Sequence, residues 1–324
     1  MSGRRPLRIG LVGCGRIAER AYAPAIAASR QLELVSACDP SAARRSRIAP
    51  LAGSAGPAAT FAGIEALLAG PAIDAVVVAS PVETHLEAAA AASARGLPCL
   101  VEKPPAADAR EAELLASLEP MPAIAFNRRS MLGRGLRERI PASGELALQA
   151  RIDYRRASWD AVSARDEALL DLGVHLVDLA LWVTGATPLA ARCAAVEPDR
   201  AALTLATTRG SCELRCSTAA LHRERIVVRR DGGRVASRRL GGIVAAVGGR
   251  LGRQSNDLAA SIAEGLDLFA AAVAGQASDR LATAAEGAIV MRTIEACRES
   301  ARRDGAAVAV AARGFTDGRE EATA

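Results

Sequence analysis

Two rhythms of apolar and polar positions divide the chain. Along residues 1–126, short runs rich in Val, Ile and Leu alternate with longer Ala-rich stretches of helical periodicity. The runs predict strands over 7–13 (LRIGLVG), 32–39 (LELVSACD), 73–80, 98–102 and 122–126, and the stretches between them predict helices over 16–28, 41–49, 64–69, 83–95 and 109–118. Strands that are apolar on both faces and separated by helices imply a parallel sheet covered on both sides. This part therefore reads as a doubly wound α/β domain.

Beyond residue 126 the pattern changes. A basic stretch over 131–140 predicts a helix, 145–157 a strand, and 168–185 (ALLDLGVHLVDLALWVTG) a long helix. From 188 to 240, strand-like segments are broken by PDR, TRG and DGG, the mark of hairpins rather than crossovers. Helices are expected over 257–274 and 282–303. The glycine-rich stretch 240–257 is expected to be a mobile loop, and residues 314–324 a frayed tail. The division is thus an α/β domain over 1–126 and an α+β domain over 127–313, the latter built on a largely antiparallel, open-faced sheet. No internal repeat is visible.

Composition narrows the picture. Half of the 324 residues are apolar but only eight are aromatic, so Ala, Leu, Val and Ile must fill the core. The net charge of +5 is spread among nearly as many acids as bases. A nucleic-acid surface would need a clustered basic stripe with interleaved aromatics. The locally basic stretch 222–239 instead alternates in polarity around Asp231, as a hairpin with one solvated face does, and no nucleic-acid partner is expected. Seven scattered cysteines lack metal-ligand spacing, Cys212 and Cys216 making a poor zinc pair alone. No metal and reduced core thiols are expected. With no leader-like segment and no apolar run of membrane length, the expectation is a soluble, cytoplasmic protein without a membrane partner.

The first strand runs into Gly13-Cys14-Gly15-Arg16-Ile17-Ala18, which fits G-x-G-x-x-G/A in its strand-to-helix context. Gly13 permits the tight turn, Gly15 lets a pyrophosphate approach, and Ala18 lets helix and strand pack closely. The amides at Arg16 and Ile17 would then face an anion at a helix N-terminus. Asp39 ends the second strand about 20 residues on, where a carboxylate can bind an adenosine ribose. A Rossmann domain binding NAD is the expectation. Arg44 and Arg45 keep NADP open, since either could reach a 2′-phosphate or merely form a solvated helix face. A glycine turn that binds nothing is the bland alternative.

Lys103 is the only lysine, the other forty basic side chains being arginine. It follows a predicted strand in Glu102-Lys103-Pro104, at the sheet edge where such folds bind ligands, and the Lys103-Pro104 bond is a candidate for the cis form. Asp171, His175 and Asp178 fall at helical spacings of four and three, on one face. The order of motifs resembles the Gfo/Idh/MocA family: the glycine turn, P-x-x-x-H from Pro81 to His85, E-K-P, FNRR at 126–129, D-x-G-x-H from Asp171 to His175, and the late EACRESARRDGAAV. The resemblance implies an NAD(P)-dependent oxidoreductase acting on a hydroxyl or keto carbon of a sugar, cyclitol or related polyhydroxy molecule. Lys103 and His175 would be its acid-base pair and Asp171 a substrate-binding or orienting group. Ser80, His85 and Glu102 are expected to join Gly13, Gly15, Arg16, Ile17 and Asp39 around the cofactor, although His85 could equally cap or pack its helix. A homodimer or homotetramer is implied, with the open sheet face as an apolar surface to cover.

Other readings stay open at this point. The same fold supports redox-neutral lyases and glycosidases that use NAD transiently, and a non-catalytic dinucleotide sensor is the reading from another class. Asp178 is expected to be structural, bonding backbone across the domain junction. Arg128 or Arg129 could reach substrate, but a solvated connector is favoured. His222 is taken as a surface residue and Trp182 as core. Where relatives often carry glycines, this chain has Asp166, Glu167 and Ala168, which bears on how the pocket entrance meets substrate.

Overall fold

The structure, a computed structural model, describes residues 5–52, 56–154, 167–241 and 257–312. The expected mobile loop, apart from its ends, the tail and Asp166 lie outside them.

Six parallel strands form the first sheet: β1 (Leu7–Val12), β2 (Leu32–Cys38), β3 (Ala59–Phe61), β4 (Ala75–Val78), β5 (Cys99–Val101) and β6 (Ala123–Ile124). They lie in the order β3-β2-β1-β4-β5-β6, and β13 (Ala282–Thr283) adds an antiparallel edge to β6. Connections run one way from β1 to β3 and the other way from β4 to β6. The β1/β4 boundary is therefore the switch point at which a crevice opens beyond the strand carboxyl ends. Every residue of β4 and β5 is buried, as strands covered on both faces require. Helices α1 (Ala23–Ala28), α2 (Ala42–Ile48), α3 (Ile64–Leu68), α4 (His85–Ser93) and α5 (Ala109–Ala116) supply the cover. A π turn over Ala18–Tyr22 precedes α1, and the Ser41 hydroxyl accepts from the Arg44 amide to start α2.

The second sheet has the order β12-β11-β7-β10-β9-β8-β14. Its strands are β7 (Leu146–Asp153), β8 (Pro188–Glu197), β9 (Arg200–Thr207), β10 (Gly210–Ser217), β11 (Arg223–Arg230), β12 (Gly233–Gly241) and β14 (Val308–Ala309), antiparallel except where β7 meets β10. Alternation sorts the faces. Leu148, Ile152, Leu203, Leu205, Leu214 and Ile226 are buried on the inner face, in the same core as residues of α7 (Val174–Thr184) and α9 (Ala284–Arg302). The outer face carries exposed Gln149, Arg151, Thr204, Glu213, Arg215 and Arg225. The expectation of an apolar open face is thus corrected: the outer positions are mostly small, polar or charged, with Val227 an exception, and the Gln149 side chain donates to Glu213 at 3.1 Å.

Two further expectations change. The helix predicted over 131–140 is only α6 (Arg128–Met131) and a 3-10 turn at Arg137–Arg139. Gly135 between them takes a φ of 71°, and a Cβ on Gly133 would lie 2.4 Å from the Trp182 ring, so the chain turns there to pack on α7. Helix α9 starts at Ala284, not 282, because Ala282 and Thr283 pair with β6 and Thr283 then forms a capping box with Glu286. In α8 (Asp257–Val273), Ile262, Leu266 and Phe269 pack with Ile9, Leu11, Tyr22 and Ile26, so residues 257–283 return to the first sheet.

Candidate active site

The ends of β1, β4, β5 and β6 bring Gly13, Ser80, Lys103 and the segment 126–129 to one edge of the first sheet. Gly13 has a φ of 92°, and a Cβ there would stand 2.7 Å from the backbone of Ala79 and Ser80. Both the conformation and the close approach require glycine. A Cβ on Gly15 would meet open space, which leaves room for a ligand beside the first turn of the following helix, where Arg16 and Ile17 lie. The residues present thus fit a dinucleotide pyrophosphate. Asp39 is buried and braces the turn: Oδ2 accepts from the Cys14 amide at 3.0 Å and Oδ1 from the Ser41 amide at 2.8 Å. Arg45 folds onto the carbonyls of Asp39 and Pro40, whereas the half-exposed Arg44 stands 3.8 Å from the Asp39 carboxylate.

Two residues expected around the cofactor support the site from behind. His85 is buried with Nε2 against the Ser80 carbonyl at 2.9 Å and Nδ1 against the Pro104 carbonyl at 3.0 Å. A neutral imidazole can donate to only one of these carbonyls, but the ring lies between them, so His85 sits between the β4 end and the Lys103 loop. The buried Glu102 carboxylate accepts from the Tyr22 hydroxyl at 2.7 Å and from the Lys103 amide at 2.9 Å. Burial pushes Glu102 above the usual carboxylate range, although Tyr22 and Lys103 oppose the shift. The Lys103-Pro104 peptide is cis.

The π turn over Leu169–Gly173, leading into α7, faces Lys103 with Asp171. Lys103 Nζ donates to Asp171 Oδ1 at 2.7 Å and to the Asp171 carbonyl at 3.0 Å. One turn on, His175 is buried, its ring edge-on to Phe126 at 6.2 Å, and its Nδ1 has no hydrogen-bond partner among the described residues. Burial, then the charges of Arg128 and Lys103, hold His175 well below the ordinary imidazole value of 6.5. The site thus places a neutral imidazole near an ammonium that a carboxylate orients, a combination able to take up and return a proton.

Arg128 and Arg129 are not a solvated connector. Arg129 is 1% exposed, grips Asp178 through Nε and Nη2 at 2.6–3.1 Å, and also donates to Glu286 at 2.9 Å and the Asp279 carbonyl at 3.0 Å. Asp178 is therefore structural as expected, but its partner is a guanidinium rather than backbone. Trp182 packs with this group and donates to the Asp279 carbonyl at 2.7 Å. Arg128 donates to Glu224 Oε1 at 2.8 Å and to Asn127 Oδ1 at 2.9 Å. His222 is not a bare surface residue: its Nε2 lies 3.2 Å from Glu224 Oε1. Sequence reasoning missed Tyr22 and Glu224. The one signal for Glu224 was an acid at an inward position of an otherwise basic strand.

All seven cysteines are free and buried, and no helix among the described residues is long and apolar enough to cross a membrane.

The two sheets with this strand-edge cluster define a Rossmann-type, two-domain architecture. Residues 7–120 match the model of the Gfo/Idh/MocA oxidoreductase family, described as an NAD-binding Rossmann fold. Among curated relatives, D-glucoside 3-dehydrogenase of Escherichia coli is 29% identical over 194 residues, covering 56% of this chain and 54% of that protein. The rhizopine catabolism protein MocA of Rhizobium meliloti is 34% identical over 192 residues, covering 56% and 58%. The match thus spans little more than half the length of these relatives. Among solved structures, myo-inositol dehydrogenase from Lactobacillus casei superposes with a TM-score of 0.78 at 16% identity, over 96% of this chain and 98% of that one, a likeness of fold.

Proposed function

We propose that the chain is an NAD-dependent oxidoreductase that moves hydride between a nicotinamide and a hydroxyl-bearing carbon of a sugar, cyclitol or related small molecule. The observation that carries this reading is the Lys103-Asp171 contact at 2.7 Å with a buried His175 Nδ1 one helical turn away that has no hydrogen-bond partner among the described residues. Gly13, Gly15, Arg16 and Ile17 would hold the pyrophosphate, and Asp39 would keep their turn in shape while presenting acceptors to a ribose. When bound, NAD supplies the carbon that exchanges hydride. His175, kept neutral by burial, accepts the hydroxyl proton in oxidation and returns it in reduction. Lys103, held by Asp171, donates a hydrogen bond to the oxygen whose charge changes. The dehydrogenase names of the relatives support the same class of substrate. The test is a panel of sugars and cyclitols incubated with NAD while NADH absorbance is followed. Oxidation of at least one polyol is expected. Consumption of a glycoside with no net change in absorbance would contradict the redox reading.

A further inference from the structure

We propose that Arg128 and Glu224 form the selectivity wall of this site, reading hydroxyls and confining the enzyme to uncharged polyhydroxy substrates. The inference rests on the function proposed above and names the substrate class within it.

Arg128 follows β6 at the same sheet edge as Lys103, and its charge bears on both His175 and Glu102. It is 8% exposed, and Glu224 on β11 is completely buried. Their ion pair at 2.8 Å leaves two polar atoms over. Arg128 Nε and Glu224 Oε2 are both buried without a hydrogen-bond partner among the described residues. Buried polar groups are nearly always bonded, so a pair of orphans in one ion pair calls for an explanation. One is a donor only and the other an acceptor only. A hydroxyl can serve either, and two neighbouring hydroxyls can serve both.

The charges decide which ligands fit. Burial pushes the Glu224 carboxyl up, but Arg128 and His222 outweigh it and hold the group below its ordinary range, so it is ionised. The guanidinium is thereby neutralised from within the protein. A carboxylate or phosphate on the substrate would approach Glu224 in a weakly screened site, and like charges there work against binding. An uncharged polyol meets no such opposition and supplies the missing partners.

The test uses the full-length protein, with kcat/KM measured for matched probes: D-glucose against D-glucuronate, and D-galactose against D-galacturonate. Wild type is expected to favour the neutral member by about tenfold or more. Glu224→Gln keeps the shape, removes the opposing charge and leaves Arg128 free to attract an anion. It should shift the ratio toward the uronate by about tenfold or more, with circular dichroism confirming the fold. A wild-type preference for the uronates, or an unchanged ratio in a folded Glu224→Gln protein, would overturn the proposal. The wild-type ratio decides if the variant does not fold. If neither sugar of a pair is oxidised, calorimetric binding of the same four probes to the wild-type NADH complex decides it: tighter neutral binding supports the wall, while equal or tighter uronate binding refutes it.

Discussion

At the scale of single residues, His175 and His85 make the protein sensitive to acid. Each is held below 6.5, with burial as the largest cause in both. A histidine whose folded pKa is depressed binds fewer protons in the native state than in the unfolded one. Stability therefore rises with pH up to about 6.5 and falls as pH drops through the window beneath it. For catalysis, the acid limb of kcat/KM for alcohol oxidation should lie below 6.5, with activity level from about pH 8 down to that point. A profile centred at or above 6.5 would show a different or less buried base. The grouping of Lys103, Asp171 and His175 was legible in the sequence because Asp171 and His175 are one helical turn apart and Lys103 stands out among arginines. Glu224 was not, because its partner Arg128 lies 96 residues away and only the tertiary fold makes an inward acid acceptable.

At the scale of elements, the helix that opens the glycine turn is coupled to the Lys103 loop. Its π turn ends at Tyr22, whose hydroxyl reaches the buried Glu102 while the Lys103 amide takes the other oxygen. Tyr22→Phe would leave one buried carboxylate oxygen without a donor. Urea unfolding should show a loss of about 1–3 kcal/mol, with kcat reduced more than NADH affinity, because Lys103 is displaced and the glycine turn is not. Unchanged stability in Tyr22→Phe would show that water replaces the hydroxyl. Strand and helix positions in the first domain followed from periodicity except for the short β3, which no apolar run announced; the π turns over Ala18–Tyr22 and Leu169–Gly173 did not follow either, since an apolar pattern sets the buried face and not the hydrogen-bond step. The predicted helix over 131–140 failed for a local reason visible afterwards: Gly133 is there to admit Trp182 and Gly135 to reverse the chain.

At the scale of the whole molecule, the site exists because two sheets are held in one arrangement. Lys103 comes from the first, Glu224 from the second, and Asp171 and His175 from the π turn and helix packed under the second. Arg129 sits at their junction, joining Asp178 on α7, Glu286 on α9 and the Asp279 carbonyl. The change of rhythm near residue 126 marked where the first run of crossovers ends. The return of α8 and β13 to the first sheet was not legible, since an amphipathic helix does not specify which sheet it covers. Under the proposed function, His175 takes up and returns the hydroxyl proton while Lys103 holds the oxygen whose charge changes. The most direct test is the turnover of Lys103→Met with its best polyol, alongside NADH affinity and melting temperature. A fall of about a hundredfold or more in kcat with affinity and melting nearly unchanged is predicted, and turnover equal to wild type would contradict it.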